Sequence, residues 1–323
     1  MKRTWNLTGI FAGIGMLLLI FDSKLALESA QAGLDLCLRT VIPSLFPFLV
    51  LSVLLTNSIT GSFLQPIARL LGIPAEARGL LIPAFLGGYP VGAKCIHDLW
   101  RTGQISKRQA ERLLGFCSNA GPAFLFGMLP GFFPEKKAVW LLWLIHILSA
   151  VLTGCILSPA VSGSSEKKTE KTEPADFLYA SMKAMGMICC WVILFRILVT
   201  FLERWFLWLL PAWLTVLITG MLELTNGCCD LMLITEPQLR FVICSCMLSF
   251  GGVCVLLQTA SVTRGLSLRY YLWGKIMQTA FSLLLSGALL WTHGWLPVTA
   301  IPFLLVFLRK IQKSSGNPGT VPV

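Results

Sequence analysis

The chain has 323 residues, 55% of them hydrophobic and only 13% charged, with a mean hydropathy of +0.76. A soluble domain carries about 25% charged residues, so a water-facing surface is excluded, and so is disorder. What remains is an all-α polytopic membrane protein. The net charge of +11 reads as cytoplasmic loop bias rather than as a nucleic-acid surface, since no basic patch is interleaved with aromatics. The eleven cysteines sit mostly within apolar runs, without CxxC or zinc spacing. They read as small packing residues, so no metal or cofactor is expected.

The first apolar run, Trp5 to Phe21, follows Lys2 and Arg3. A small-residue cleavage site at Ala30-Gln31-Ala32 lies well past it, beyond Asp22, Lys24 and Glu28, so the run reads as an uncleaved first helix with a connector. The next span is Leu36 to Thr56. Then comes GLLIPAFLGGYPVGAKCIHDLW (79–100). It is apolar enough for a membrane, but Gly87, Gly88, Pro90 and Gly92 break any helix, so it is predicted to be a re-entrant hairpin. Ser106 caps a helix that enters the membrane and runs over Leu113–Phe133. Ser118-Asn119-Ala120-Gly121-Pro122 unwinds that helix in its middle. Ala138–Leu157 is a span. The polar stretch 162–174, SGSSEKKTEKTEP, reads as a flexible linker between two halves.

The second half repeats the pattern. Phe177–Phe201 is a span, and Trp205–Leu233 is interrupted by ELTNGCCD (223–230). Leu239–Val262 is broken at Ser249-Phe250-Gly251-Gly252, and Leu272–Trp291 and Leu296–Leu308 follow. With both termini in the cytosol, inside segments hold 17 Lys and Arg and outside segments six, with Lys94, Lys183 and Arg196 inside apolar stretches. This bias supports the threading. ISKRQAERLLGFC (105–117) and ITEPQLRFVICSC (234–246) share Ile, Gln and Cys at an offset of 129, with Ser106 and Thr235 as matching caps. A unit that crosses the membrane an odd number of times has opposite orientation in its two copies, which predicts an inverted repeat. The units are 1–34 (first helix and connector), 35–160 (first repeat), 161–175 (cytoplasmic linker), 176–292 (second repeat) and 293–323 (last helix and basic tail).

Inverted-repeat transporters bind substrate where broken helices meet. The four breaks together are the candidate substrate site. In the first hairpin these are Gly88, Tyr89, Pro90, Gly92 and Lys94. An intramembrane lysine needs a partner, so Lys94 is read as a carboxylate contact, the alternative being a route to the surface beside Asp98. In the second hairpin they are Glu223, Thr225, Asn226 and Gly227, with Glu223 as proton or cation carrier or as internal partner of Lys94. In the broken helices they are Ser118, Asn119, Pro122, Gly252 and Gln258. Arg196 receives no function. No GxSxG, HExxH or pair of membrane aspartates occurs, so no enzyme is expected.

GGYPVGAK followed by GQISKRQAERLLGFCSNAGP resembles the nucleoside-recognition or Gate domain and, more closely, the sporulation integral membrane proteins of the YlbJ type. Gly88 to Lys94 match the hairpin motif and Ser118, Asn119 and Pro122 the break. Glu223, Thr225 and Gly227 match a Glu-x-Thr-x-Gly motif, and Gly252 and Gln258 a Gly followed downstream by Gln. Cys254 and Leu256 stand where more polar residues are expected. The resemblance spans about residues 35–290. It implies a fold similar to concentrative nucleoside transporters, a role in endospore formation, and movement of dipicolinate, a flat pyridine dianion. The resulting expectation is a transporter of a small organic anion in the bacterial cell membrane or outer forespore membrane. It would be coupled to a proton or sodium, with homo-oligomer assembly left open. The alternatives are a nucleoside transporter of the same fold or a non-transporting sporulation scaffold.

Overall fold

The computed structural model describes residues 7–58, 62–157 and 176–291. The expected linker 162–174 and last span 296–308 lie outside these residues. Every regular element among them is helical. Among the described residues, four helices are long and apolar enough to cross a membrane: Ser23–Leu51, Lys136–Leu157, Ser181–Trp205 and Pro237–Val262.

Helix α1 (Leu7–Phe21) leads into α2 (Ser23–Leu36). One π-helical turn, Cys37–Val41, then joins α2 to α3 (Ile42–Ser58). The stretch read as a connector is therefore helix. The Asp22 carboxylate accepts from the Leu25 amide at 3.3 Å and starts α2. The charges that made the stretch look like a loop, Lys24 and Glu28, stand on its exposed side. Its other side carries Ser29 and Gly33, both buried against α10 (Asp176–Trp205). A Cβ on Gly33 would lie 3.0 Å from the Ile193 Cα. Small residues one turn apart let the two backbones approach this closely.

Short α4 (Gln65–Leu70) follows. Then α5 (Leu81–Leu86) and α6 (Val91–Arg101) form a hairpin about residues 87–90. Ser106 and Gln109 form a reciprocal cap at the start of α7 (Lys107–Leu113), as the sequence predicts. The chain leaves the helix over 114–121 and resumes as α8 (Pro122–Met128) and α9 (Lys136–Leu157). After α10 come α11 (Ala212–Leu222) and α12 (Leu224–Cys229), then α13 (Pro237–Phe250), α14 (Gly252–Val262) and α15 (Arg269–Trp291). Thr235 does not cap α13. The N-cap is Glu236, because Pro237, whose fixed φ suits the first helical position, sets the start one residue later. The two hairpins are mirror images in length. The first has 6 residues before its turn and 11 after, and the second has 11 before and 6 after.

Helices α9, α13 and α15 pack together. One face of α15 is polar yet buried: Lys275, Gln278, Ser282 and Ser286, at helical spacing. Ser282 and Ser286 meet Ser245 of α13 at 2.6 and 2.8 Å, so the hydroxyls satisfy one another. Between the two halves, Arg240, only 7% exposed, donates to the Ile234 carbonyl through Nε and Nη2 and to the Phe132 carbonyl at 2.9 Å through Nη1. Helix α15 crosses the end of α7 so closely that a Cβ on Gly274 would meet the Gly115 carbonyl oxygen at 1.9 Å. Gly274→Ala is expected to cost on the order of 1–3 kcal/mol by overpacking, read as a lowered Tm of the purified protein. Gly186→Ala, with nothing within 4 Å of its would-be Cβ, is expected to leave the Tm unchanged or slightly raised.

Candidate functional site

The four breaks expected from the sequence are all present, and they converge. At the first hairpin tip, Gly88 adopts φ +82°, a conformation open to glycine, and its backbone touches Gly121 in the first broken helix. A Cβ on Gly121 would lie 2.9 Å from the Gly88 Cα. Tyr89, 5% exposed, donates its hydroxyl to the Leu248 carbonyl at 3.0 Å, just before the second broken helix. Its ring packs against Gly251, which with Gly252 has positive φ and turns the chain from α13 into α14.

Breaking a helix frees amides and carbonyls that must find partners away from water. In the first broken helix the side chains supply them. Asn119 donates to the Ala84 and Phe116 carbonyls at 3.1 and 2.8 Å, and the Ala120 amide donates to His146 Nε2 at 3.0 Å. Gln278 donates to Asn119 Oδ1 at 3.0 Å. In the second hairpin the chain is extended at Glu223. Its carboxylate accepts from the Thr225 and Asn226 amides at 3.1 and 2.7 Å, capping α12. Arg196 donates to Asn226 Oδ1 at 3.2 Å, so this intramembrane arginine is tied to the hairpin. Gly227 lies against Gly220 across the turn, where a Cβ would come within 2.2 Å of the Gly220 Cα.

Between these parts lies a cavity of about 40 Å³. Tyr89 of the first hairpin, Gly121 of the first break, Glu223 and Thr225 of the second hairpin and Gln258, on α14 beyond the second break, line it. Ser44 of α3 and apolar walls that include Leu45, Phe124, Ile188 and Val192 complete it. Among the described residues, Glu223 is the one ionisable acid or base, tyrosine aside, that lines it. Gln258, 4% exposed, donates to Cys254 Sγ at 3.3 Å, one turn back on α14.

Of the residues chosen from the sequence, Tyr89, Glu223, Thr225 and Gln258 reach this cavity. Ser118, Asn119, Asn226, Gly88, Pro90, Pro122, Gly227 and Gly252 shape the breaks around it. Gly92 is a packing residue, because a Cβ there would meet the Cys117 carbonyl oxygen at 1.9 Å. Lys94 does not line the cavity and does not pair with Glu223. Helix α6 begins at Val91, so Lys94 lies one turn past the tip and pairs with Asp98 at 2.8 Å, its i+4 neighbour. His97 also approaches Asp98, at 3.7 Å.

The sequence reading misses the cation that does sit at the junction, Lys275. It is 1% exposed, and Nζ donates to the Tyr89 hydroxyl at 3.0 Å, to Gln278 Oε1 at 2.8 Å and to the Ser118 carbonyl. Counting loop charges assigns it to the segment 264–275, although it lies three residues inside the span expected from Leu272. An intramembrane lysine is itself the signal that could have found it.

Over 301 residues the chain is 26% identical to the sporulation integral membrane protein YlbJ of Bacillus subtilis (strain 168), a match that covers 78% of this chain and 74% of that protein. No family model matches the chain, and no solved structure matches it. The similarity to YlbJ supports the assignment to the YlbJ type made from the hairpin and break motifs.

The ion pair joins Lys94, 15% exposed, to Asp98, 47% exposed, and is partly buried. Lys94→Gln should lower stability by about 1–2 kcal/mol, measured by chemical or thermal unfolding in detergent.

Proposed function

We propose, on the YlbJ-type assignment, that this integral membrane protein is a transporter of a small organic acid, dipicolinate first, that works by alternating access. The observation that carries the reading is the convergence of both hairpins and both broken helices on one cavity. Half-helices joined at extended or glycine residues are natural hinges, since a few φ/ψ changes there swing a whole hairpin. The two mirror-image hairpins are the proposed gates. They are re-entrant from opposite sides of the bilayer, within two inverted repeats (35–160 and 176–292) of a fold like that of concentrative nucleoside transporters. Both termini would lie in the cytosol, and the membrane would be the cell membrane or the outer forespore membrane. A cavity of about 40 Å³ has room for about three waters, less than an aromatic ring with two carboxyls needs. The described conformation is therefore an occluded one in this scheme, and a hairpin must withdraw to admit the ligand.

Tyr89, Thr225 and Gln258 would orient the substrate. Dipicolinate as the substrate rests on the family resemblance. Glu223 sets how an anion is taken. Two carboxylates in one low-dielectric site cannot both stay ionised, so a carboxylate arriving beside Glu223 brings a shared proton. The proposed coupling is thus anion–proton symport, with sodium coupling as the rival. A second reading, a nucleoside transporter, is favoured by one observation. The lining offers an acid, a hydroxyl and an amide but no cation, a set that suits neutral sugar hydroxyls.

The test is uptake into liposomes of the purified protein, with labelled dipicolinate and labelled uridine offered in parallel. Saturable dipicolinate uptake is expected, raised severalfold by an acidic exterior and without uridine uptake. Glu223→Gln should abolish the response to the proton gradient while exchange of dipicolinate persists. Uridine uptake alone would move the reading to the nucleoside branch. Uptake of neither by folded protein would contradict transport.

A further inference from the structure

The hydrogen-bond partners of Lys275 are those that suit an ammonium. The Tyr89 hydroxyl spends its one hydrogen on the Leu248 carbonyl, so toward Nζ it can only accept. Gln278 spends its amide hydrogens on Asn119 Oδ1 and the His146 carbonyl, so its oxygen faces Nζ. The Ser118 carbonyl has no hydrogen to give. An ammonium, with its three N–H groups, meets all three acceptors. Among the described residues no carboxylate lies within 4.0 Å of it.

Its stabilisation comes from neutral oxygens and aromatic faces instead. Nζ lies 4.8 Å from the Tyr89 ring centroid and 5.8 Å from that of Tyr271. Backbone carbonyls of unwound helices are the ligands by which membrane proteins hold a dehydrated monovalent cation, and the amide and phenol oxygens here are neutral oxygen donors beside one such carbonyl. Aromatic faces favour an ammonium in the same place. The Ser118 hydroxyl, fully buried, makes no hydrogen bond within the described residues, which leaves a further oxygen on the residue that already supplies its carbonyl.

We propose that this is a monovalent-cation site occupied by the chain's own lysine. The Lys275 ammonium is a tethered ion that pins the first hairpin tip to the first broken helix, and the oxygen cage takes a free ammonium or alkali cation when the lysine is cut away. The tether reaches three parts of the fold at once: α15 carries it, Ser118 belongs to the first break, and Tyr89 passes the link on to Leu248 at the second. The closed junction then needs no external cation at this point.

The experiment is the melting of purified full-length protein in detergent at constant ionic strength, in methylammonium, sodium or choline chloride. The unaltered chain should melt at one temperature in all three. Lys275→Ala should melt several degrees lower in choline and recover most of the loss, saturably, in methylammonium or sodium. A folded Lys275→Ala protein indifferent to the cation, or an unaltered chain that responds as strongly as the variant, overturns the proposal. A second pair of variants decides the matter if Lys275→Ala does not fold. Gln278→Leu removes one acceptor while the ammonium stays, and should lower the Tm. The double variant Lys275→Met/Gln278→Leu removes cation and acceptor together and should melt above Gln278→Leu alone. Losses that simply add in the double variant overturn the proposal.

Discussion

Inside a bilayer an unpaired backbone group costs several kcal/mol, because no water is there to satisfy it. This chain interrupts its helices four times in apolar sequence and so creates that cost four times. Most of the buried polar residues near the centre can be understood as its settlement. Asn119 satisfies a carbonyl of the first hairpin and one of the first broken helix, His146 accepts from an amide of that helix, and Glu223 caps the amides of the second hairpin. Lys275 and Gln278 reach the same region from α15. Because side chains from several helices are needed for each break, the breaks are held together, and the cavity is where they meet.

Two charges divide the labour. Glu223 lines the cavity, its carboxylate oriented by two backbone amides, and is the group available to a ligand. Lys275 lies behind Tyr89 and is fully engaged with protein oxygens. Tyr89 is the residue common to both, with its ring on the cavity wall and its hydroxyl on the ammonium. In the proposed mechanism, a movement of the first hairpin that opens the cavity would strain the lysine cage and so link ligand admission to Lys275 without direct contact between the two.

The parts of this arrangement that interrupt the hydrophobic pattern were legible in the sequence. Gly-Gly-Tyr-Pro, Ser-Asn-Ala-Gly-Pro, the lone acid at Glu223 and Ser-Phe-Gly-Gly stand out because proline, glycine and charge are costly inside an apolar run. Gln258, a large polar side chain after the apolar stretch that opens α14, stands out in the same way. What escaped depended on which face a residue occupies. Charged Asp22, Lys24 and Glu28 hid a helix whose packing face is Ser29 and Gly33. Lys94 is indeed largely buried, but α6 turns it toward Asp98 and away from the cavity. Lys275 looked like a loop charge because it lies near the start of its helix. Composition marks where a chain breaks, whereas the rotation of each helix, set by packing of small residues such as Gly33 and Gly274, decides what the break displays.

The measurement closest to the central claim is the accessibility of Thr225→Cys, in a background freed of reactive cysteines, to a membrane-impermeant thiol reagent added from either side of sealed vesicles. Alternating access at this cavity predicts labelling from both sides and suppression of both by dipicolinate. Labelling from one side alone, or labelling indifferent to dipicolinate, would contradict it.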